Sequence, residues 1–256
     1  MAARKLKAAE RQLRLREVFE SREFVDLQTL CKDLKSSEST VRRDLIQLEK
    51  AGILRRVHGG ALAAHGRDDS VDFSGLSARM SPEKQRIAKA AAPLVENGQT
   101  VILDGGSTVA AVARELVGMR LHVMTNSLPI AQVFKEARGI ELTLTGGYLD
   151  PRLEVLVGPF CEKMLDSVAA DVLIMGIGGV TEAGYSNNNT LIVGSERKMI
   201  EVSRKVVIVA DHSKFGRAGI VPVAPLQAAD VVVSDKALDS TYRRLLRSHG
   251  VEVVLA

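Results

Sequence analysis

Apolar positions along the chain fall into two rhythms, and the change between them divides it. Up to about residue 62 they recur at helical spacing: Leu15, Val18 and Phe19 share one face of an arginine-rich segment. Leu27, Leu30, Cys31 and Leu34 repeat in the same way behind Asp26, a residue suited to cap a helix. Val41, Leu45 and Leu48 then stack on one face of a third helix, leaving Arg42, Arg43 and Gln47 on its other sides. Ser37 stands where its hydroxyl can cap that helix, Glu38 favours the positive end of its dipole, and Gly52 is a natural stop. Ile53 to Val57 alternates apolar and basic residues like a short strand, and Gly59-Gly60 can supply the positive dihedrals of a tight hairpin. The pattern predicts a three-helix unit whose last two helices form a helix-turn-helix, followed by a wing.

The second rhythm starts at Thr100. Short runs rich in Val, Ile and Leu occur at 101–103, 122–125, 141–145, 171–176, 206–210, 231–233 and 251–255, separated by segments long enough for crossover helices, among them 109–116, 192–202 and 240–248. This predicts an α/β domain with a mostly parallel sheet covered on both faces. Residues 63–80 keep neither rhythm and read as a linker between domains at 1–62 and 81–256. Ser81 and Pro82 open a helix running to about Val95.

Charge sharpens the division. Lys and Arg against Asp and Glu give 14 − 9 = +5 for residues 1–62 and 21 − 22 = −1 for the rest of the 256 residues. A polyanionic partner is therefore expected at one end only. In a helix-turn-helix the N-terminal residues of the second helix enter the major groove, where arginine forks read guanine edges or clamp phosphates and a hydroxyl such as that of Thr40 can donate to phosphate. Asp44 would be repelled by the DNA backbone and is expected to position an arginine or a cap instead. Cys31 and Cys161 are too few for a disulfide framework or a metal cluster, which points to a reduced, cytoplasmic protein. No signal peptide or membrane span is expected.

In open parallel sheets ligands sit beyond the carboxyl ends of the strands. Asp104-Gly105-Gly106-Ser107-Thr108 follows the first run and precedes a helix, which makes it a potential phosphate cradle, although it is neither a GxGxxG nor a Walker sequence. Taken alone, such a turn is more often plain strand-to-helix punctuation. Thr125-Asn126-Ser127, Gly146-Gly147, Gly176 to Gly179 and Asp211 to Lys214 end later runs, and several polar ends on one edge favour a ligand site. Lys214 can meet a phosphate, while Asp104 and Asp211 can bind sugar hydroxyls or cap the next helix. Asp211, His212 and Ser213 diverge at a strand end and form no catalytic relay.

The segment STVRRDLIQLEKAGILRRVHGGA resembles the winged helix-turn-helix signature of the DeoR family of bacterial transcriptional regulators. The resemblance implies that Ser39, Thr40, Arg42 and Arg43 meet the operator and that Arg55, Arg56 and His58 of the wing touch backbone or minor groove. It extends through SPEKQRIAKAAAPLVENG, LDGGSTV, TNSLPIA, LTGG, VGP, MGIGGV and DHSKFG, which are similar to blocks of the family's effector domain. That domain is similar to ribose-5-phosphate isomerase, and the family generally senses phosphorylated sugars or related metabolites. By position, Asp104 to Thr108, Thr125 to Ser127, Gly146, Gly147, Arg152, Gly179 and Lys214 would line the pocket. Ser107 stands where threonine is commoner, and YSNNNT at 185–190 departs from the family pattern.

The expectation is a cytoplasmic, homo-oligomeric repressor, not an enzyme, that uses no cofactor or metal. Its partners would be operator DNA and a phosphorylated sugar, and no membrane. The rival readings are an isomerase-like enzyme fused to a DNA-binding unit, and a DNA-architectural protein, which the near-neutral larger domain disfavours.

Overall fold

A computed structural model describes residues 8–21, 24–50, 53–57, 60–63, 73 and 81–256. The chain forms two compact units, divided between Val71 and Asp72. Most of the expected linker lies outside the described residues. Phe73 belongs to the second unit, where it packs on the core and its N–H donates to the Arg152 carbonyl at 2.9 Å.

The first unit contains α1 (Ala8–Ser21), β1 (Phe24–Asp26), α2 (Leu27–Asp33), α3 (Glu38–Lys50), β2 (Leu54–Val57) and β3 (Gly60–Ala63). Its core joins Leu15 and Phe19 of α1, Leu27, Leu30 and Leu34 of the α2 segment, and Val41, Leu45 and Leu48 of α3. Burying each of these large side chains contributes about 2 kcal/mol. The helical spacing read from the sequence is thus the spacing of the core. Asp26 caps α2, accepting from the Thr29 N–H at 2.9 Å. Helix α2 stops at a Schellman turn: Ser36 N–H donates to Cys31 O and Lys35 N–H to Lys32 O, with Lys35 in the left-handed region at φ 46°.

Two local expectations change. Ser37 enters α3 through its carbonyl, which accepts from Thr40 and Val41, while its hydroxyl lies against those of Thr40 (2.9 Å) and Ser39 (3.2 Å). The wing is part of a three-stranded antiparallel sheet ordered β1-β3-β2, and Gly60 is already strand, paired with Val57. The unpredicted strand β1 completes it, because three residues carry too little pattern to be seen.

The second unit is built on a seven-stranded, wholly parallel sheet. Its strands are β4 (Thr100–Leu103), β5 (Leu121–Thr125), β6 (Ile140–Leu144), β9 (Ala170–Met175), β12 (Ser203–Val209), β14 (Val231–Ser234) and β15 (Glu252–Leu255), in the spatial order β6-β5-β4-β9-β12-β14-β15. All seven apolar runs are strands of this sheet. Their side chains alternate between two cores. Val101, Leu103, Ile174 and Val207 face one side with α4 (Ser81–Ala91), α5 (Ser107–Glu115) and α6 (Leu128–Phe134). Ile102, Leu173, Met175 and Ile208 face the other with α7 (Pro159–Leu165), α8 (Thr190–Glu201) and α9 (Ser240–Ser248). Helix α4 ends before the expected Val95 and continues as a 3-10 turn, Ala92–Leu94, because Pro93 cannot extend the helical ladder.

Short strands decorate this frame: a hairpin of β7 (Tyr148–Asp150) and β8 (Val155–Val157), and a second sheet of β10 (Gly179–Thr181), β11 (Gly184–Asn187) and β13 (Val221–Ala224). The segment YSNNNT runs from β11 into α8, where Asn189 accepts from the Leu191 N–H.

Candidate functional site

In the first unit, α3 follows α2 across the Lys35 turn and presents its first turn outward. Ser39, Arg42 and Arg43 are exposed and Thr40 is half-buried, while Val41 and Leu45 fix the helix from behind. Arg42 makes a forked contact to Glu38 Oε1 at 2.9 and 2.7 Å. Arg56 on β2 holds Glu49 through its side chain at 2.6 Å and its backbone N–H at 2.8 Å, and the backbone bond foremost depresses the Glu49 pKa. Surface pairs of this kind are worth at most about 1 kcal/mol, so either arginine can be transferred to a phosphate cheaply. Arg55 lies on β2 with its side chain outside the description, and His58 lies outside the described residues. Asp44 is buried and accepts from Arg11 Nε at 2.7 Å and Nη2 at 3.3 Å, tying α1 to α3. It positions an arginine, as its charge required.

In the second unit, crossovers from β4 run one way to β5 and β6, while β9, on the other side of β4, leads to β12, β14 and β15. The seam between β4 and β9 is therefore the point where the winding reverses, the place beyond whose strand ends open α/β sheets bind their ligands. Asp104 follows directly on β4 at that seam. The backbone then needs Gly105, where a Cβ would lie 2.3 Å from Val155 Cγ1, and Gly106, whose φ of 124° makes it the N-cap of α5. No side chain caps α5, so its free N–H groups and positive dipole end face the turn. Ser107 accepts from Lys84 Nζ at 2.9 Å, and Lys84 is a buried cation on α4. Thr108 follows in the first turn of α5.

Asp104 itself does not cap. It is buried, its Oδ1 has no hydrogen-bond partner among the described residues, and burial raises its pKa to about 7 against the pull of the Gly105 N–H and the neighbouring Asn126 amide. At the end of β5, Thr125 donates to Leu103 O at 2.6 Å and accepts from Ser127 N–H at 3.1 Å, while Ser127 Oγ accepts from Ile130 N–H. Both hydroxyls are engaged in shaping the turn. The Asn126 side chain between them is buried beside Asp104, and neither of its polar atoms reaches hydrogen-bond geometry with a partner among the described residues.

The remaining expected residues lie around this edge. Gly146 and Gly147 follow β6, and Gly179 starts β10, packed so closely that a Cβ would meet the Arg217 carbonyl at 2.2 Å. Lys214 is half-buried in a 3-10 turn after β12. Arg152 is exposed beside the hairpin, its backbone N–H bound to Asp150. Asp211 caps that turn, taking the second of the two roles open to it. His212 pairs with Asp235 (2.9 Å) and Ser213 with Asp211, so no relay links the three.

Lys84 and Glu196 were not expected at the site. Glu196 on α8 is buried, and its Oε1 accepts from Asn187 Nδ2 at 2.7 Å. Burial and the charge of Asp104 raise its pKa well above the usual carboxylate range. Both residues could have been found. Lys84 shares a helical face with Ile87, Ala88 and Ala91, and Glu196 one with Ile192, Val193 and Met199: charges placed in an apolar stripe. Among the described residues no acidic, His or Cys group could hold a metal ion, and no helix is long and apolar enough to cross a membrane.

An arginine-bearing winged helix-turn-helix and a parallel α/β unit with buried polar side chains at its winding reversal define a DNA-binding regulator that carries its own sensor. The chain belongs to the DeoR family of transcriptional regulators: residues 11–67 match the DeoR-like helix-turn-helix domain and residues 79–236 the DeoR C-terminal sensor domain. It is 32% identical over 231 residues to the HTH-type transcriptional repressor GlcR of Bacillus subtilis, covering 90% of each chain. It is 36% identical over 226 residues to the putative aga operon transcriptional repressor of Escherichia coli O157:H7, covering 86% of this chain and 83% of that one. With the glycerol-3-phosphate regulon repressor of Escherichia coli K12 it shares 30% identity over 257 residues, covering 98% and 100%. Among solved structures, a D-ribose-5-phosphate isomerase in complex with phospho-erythronic acid is similar at 17% identity and a TM-score of 0.40, covering 53% of this chain and 54% of that one.

Proposed function

We propose that the protein is a cytoplasmic, sequence-specific repressor whose operator affinity is set by a phosphorylated sugar or related metabolite bound at the β4–β9 seam. The observation that carries the reading is the pairing, at one turn, of an anion-binding element with buried polar groups that lack partners. The uncapped N-terminus of α5, Ser107 and Lys84 supply the first; Asp104 and Asn126 supply the second. Ser39, Thr40, Arg42 and Arg43 of α3 and Arg55, Arg56 and His58 of the wing meet the operator. Asp104 to Thr108, Thr125 to Ser127, Gly146, Gly147, Gly179 and Lys214 surround the effector, with Arg152 at the margin. A symmetric homo-oligomer follows from the need to read paired half-sites. The effector acts by binding one arrangement of the DNA-binding units better than another.

The domains in this reading are 1–62 for DNA, 63–80 as linker and 81–256 for the effector. The protein is a sensor rather than an isomerase, a view supported by the repressor names of its relatives. The test is operator binding at fixed, moderate salt, with DNA from upstream of the protein's own gene cluster and a panel of sugar phosphates. Specific binding altered by one compound supports the reading. Binding indifferent to every compound removes the sensor assignment, and turnover of a compound without DNA specificity promotes the enzyme.

A further inference from the structure

Three buried side chains near the seam hold polar atoms with no hydrogen-bond partner among the described residues: Asp104 Oδ1, Glu196 Oε2, and both Oδ1 and Nδ2 of Asn126. Their exposures are 3%, 1% and 0%. Each such group costs about 1–3 kcal/mol unless something meets it, which makes three neighbours expensive as mere architecture. They are neighbours. Asn126 Oδ1 lies 3.8 Å from where a Cβ of Gly105 would be, directly after Asp104; on the other side a Cβ of Gly176 would lie 3.8 Å from the Gly105 carbonyl and one of Gly178 2.8 Å from Asn187, the partner of Glu196.

The hydrogen-bonding roles of the two acids differ. Glu196 Oε1 is committed as an acceptor to Asn187 Nδ2, and Asn187 in turn sits against Gly178, where a Cβ would come within 2.8 Å of its Oδ1. Burial and the neighbouring Asp104 favour the neutral form of Glu196, so its proton belongs on the open oxygen, Oε2, a donor. Asp104 Oδ1 is an open acceptor. A group that accepts from one and donates to the other is a hydroxyl, of a ligand or of a water that a ligand hydroxyl would displace; a phosphate dianion has no proton to give and is repelled by a charged Asp104, and an ammonium cannot accept.

We propose that Glu196 and Asp104 form a hydroxyl-reading pair, in which one hydroxyl of the effector's carbon chain accepts from Glu196 Oε2 and donates to Asp104 Oδ1 while the Asn126 amide serves a neighbouring hydroxyl. This rests on the sensor reading and narrows it: the effector is polyhydroxylated beyond its phosphate, and Glu196 joins the specificity-determining residues. The α5 N-terminus takes the phosphate, and the acidic pair measures what is attached to it.

The test is calorimetric titration of the full chain with inorganic phosphate, glycerol 3-phosphate, ribose 5-phosphate and glucose 6-phosphate. It reads the affinity of the best sugar phosphate relative to inorganic phosphate. Glu196→Met, which keeps bulk but loses both hydrogen-bonding atoms, should lower that ratio about tenfold or more. Glu196→Gln, whose amide N–H replaces the Oε2 proton, should keep it within about threefold. An unchanged ratio in Glu196→Met overturns the proposal and leaves the pair to solvent; equal loss in both variants overturns the donor role. The free protein supplies a second readout, since removing an unsatisfied carboxyl should not lower its melting temperature. A lower melting temperature with parallel loss of phosphate affinity marks Glu196 as structural and overturns the proposal. If no sugar phosphate exceeds phosphate in the wild type, the pair's role falls while the anion site stands; if nothing binds, phosphate included, the sensor reading falls with it.

Discussion

The two units handle polar groups in opposite ways. In the first unit two of the side chains proposed to meet the operator are exposed and already partnered, Arg42 with Glu38 and Arg56 with Glu49, so DNA would have to displace weak contacts. In the sensor unit Asp104, Asn126 and Glu196 are buried and carry atoms unpartnered among the described residues, so a ligand there would supply contacts rather than displace them. Exposed pairs suit a partner that comes and goes over a broad charged surface. Buried orphans suit a small molecule that must be told from its analogues, because leaving them unpaired penalises the wrong ligand.

The sharpest test of this difference is pH. Asp26 and Glu49 in the first unit are held below the usual carboxylate range, by the Thr29 side chain and the Arg56 backbone respectively, so they add stability at neutral pH that is lost as pH falls. Asp104 and Glu196 are raised chiefly by burial: the folded state prefers the proton, and stability is lost as pH rises from about 4 towards 7. Hydrogen exchange at α3 should therefore lose protection only as pH falls below about 4, whereas protection at β4 should fall as pH rises from about 4 towards 7. Asp104→Asn should remove up to about 1.4 kcal/mol per pH unit from the sensor's slope. Parallel slopes in the two units would erase the contrast.

Next in size is Asp44→Ala. It removes the ion pair with the nearly buried Arg11 and should destabilise the first unit by about 2 kcal/mol while β4 exchange is unmoved. Urea unfolding read by exchange at α3 checks it, and an unshifted midpoint removes the tie between α1 and α3. Arg43→Ala should weaken operator binding about tenfold and leave effector binding intact, as measured by titration at fixed salt. Loss of both would show that the exposed arginine supports the fold. The smallest effect is expected at Lys35, whose left-handed backbone favours glycine: Lys35→Gly should stabilise the first unit by about 0.5 kcal/mol in the same urea assay.

The large sheet was legible because buried parallel strands are uninterrupted apolar runs, and all seven runs became its strands. The three-helix core was legible from spacing alone. The hairpin β7–β8 and the sheet β10-β11-β13 were not, since strands such as Tyr148–Asp150 and Gly184–Asn187 have no apolar run and pair where the surrounding fold places them. At the site, strand ends announced Asp104 and Asn126, whereas Thr125 and Ser127 looked equally available until their hydroxyls were seen bonded within the turn. Lys84 and Glu196 sit inside helices, away from every strand end, and only their position among apolar neighbours marked them.

The β4–β9 seam also sets an order of assembly. It joins Val101 to Val172, so the sensor's central pairing waits for a long stretch of intervening chain, whereas the described strands and helices of the first unit all fall within its first 63 residues. Local contacts form faster than distant ones, and N-terminal domains emerge from the ribosome first. A newly made chain should thus acquire its operator-reading surface before the unit that would regulate it, and pulsed exchange during refolding should protect α3 ahead of β4. Equal protection times would mean that the two abilities arrive together.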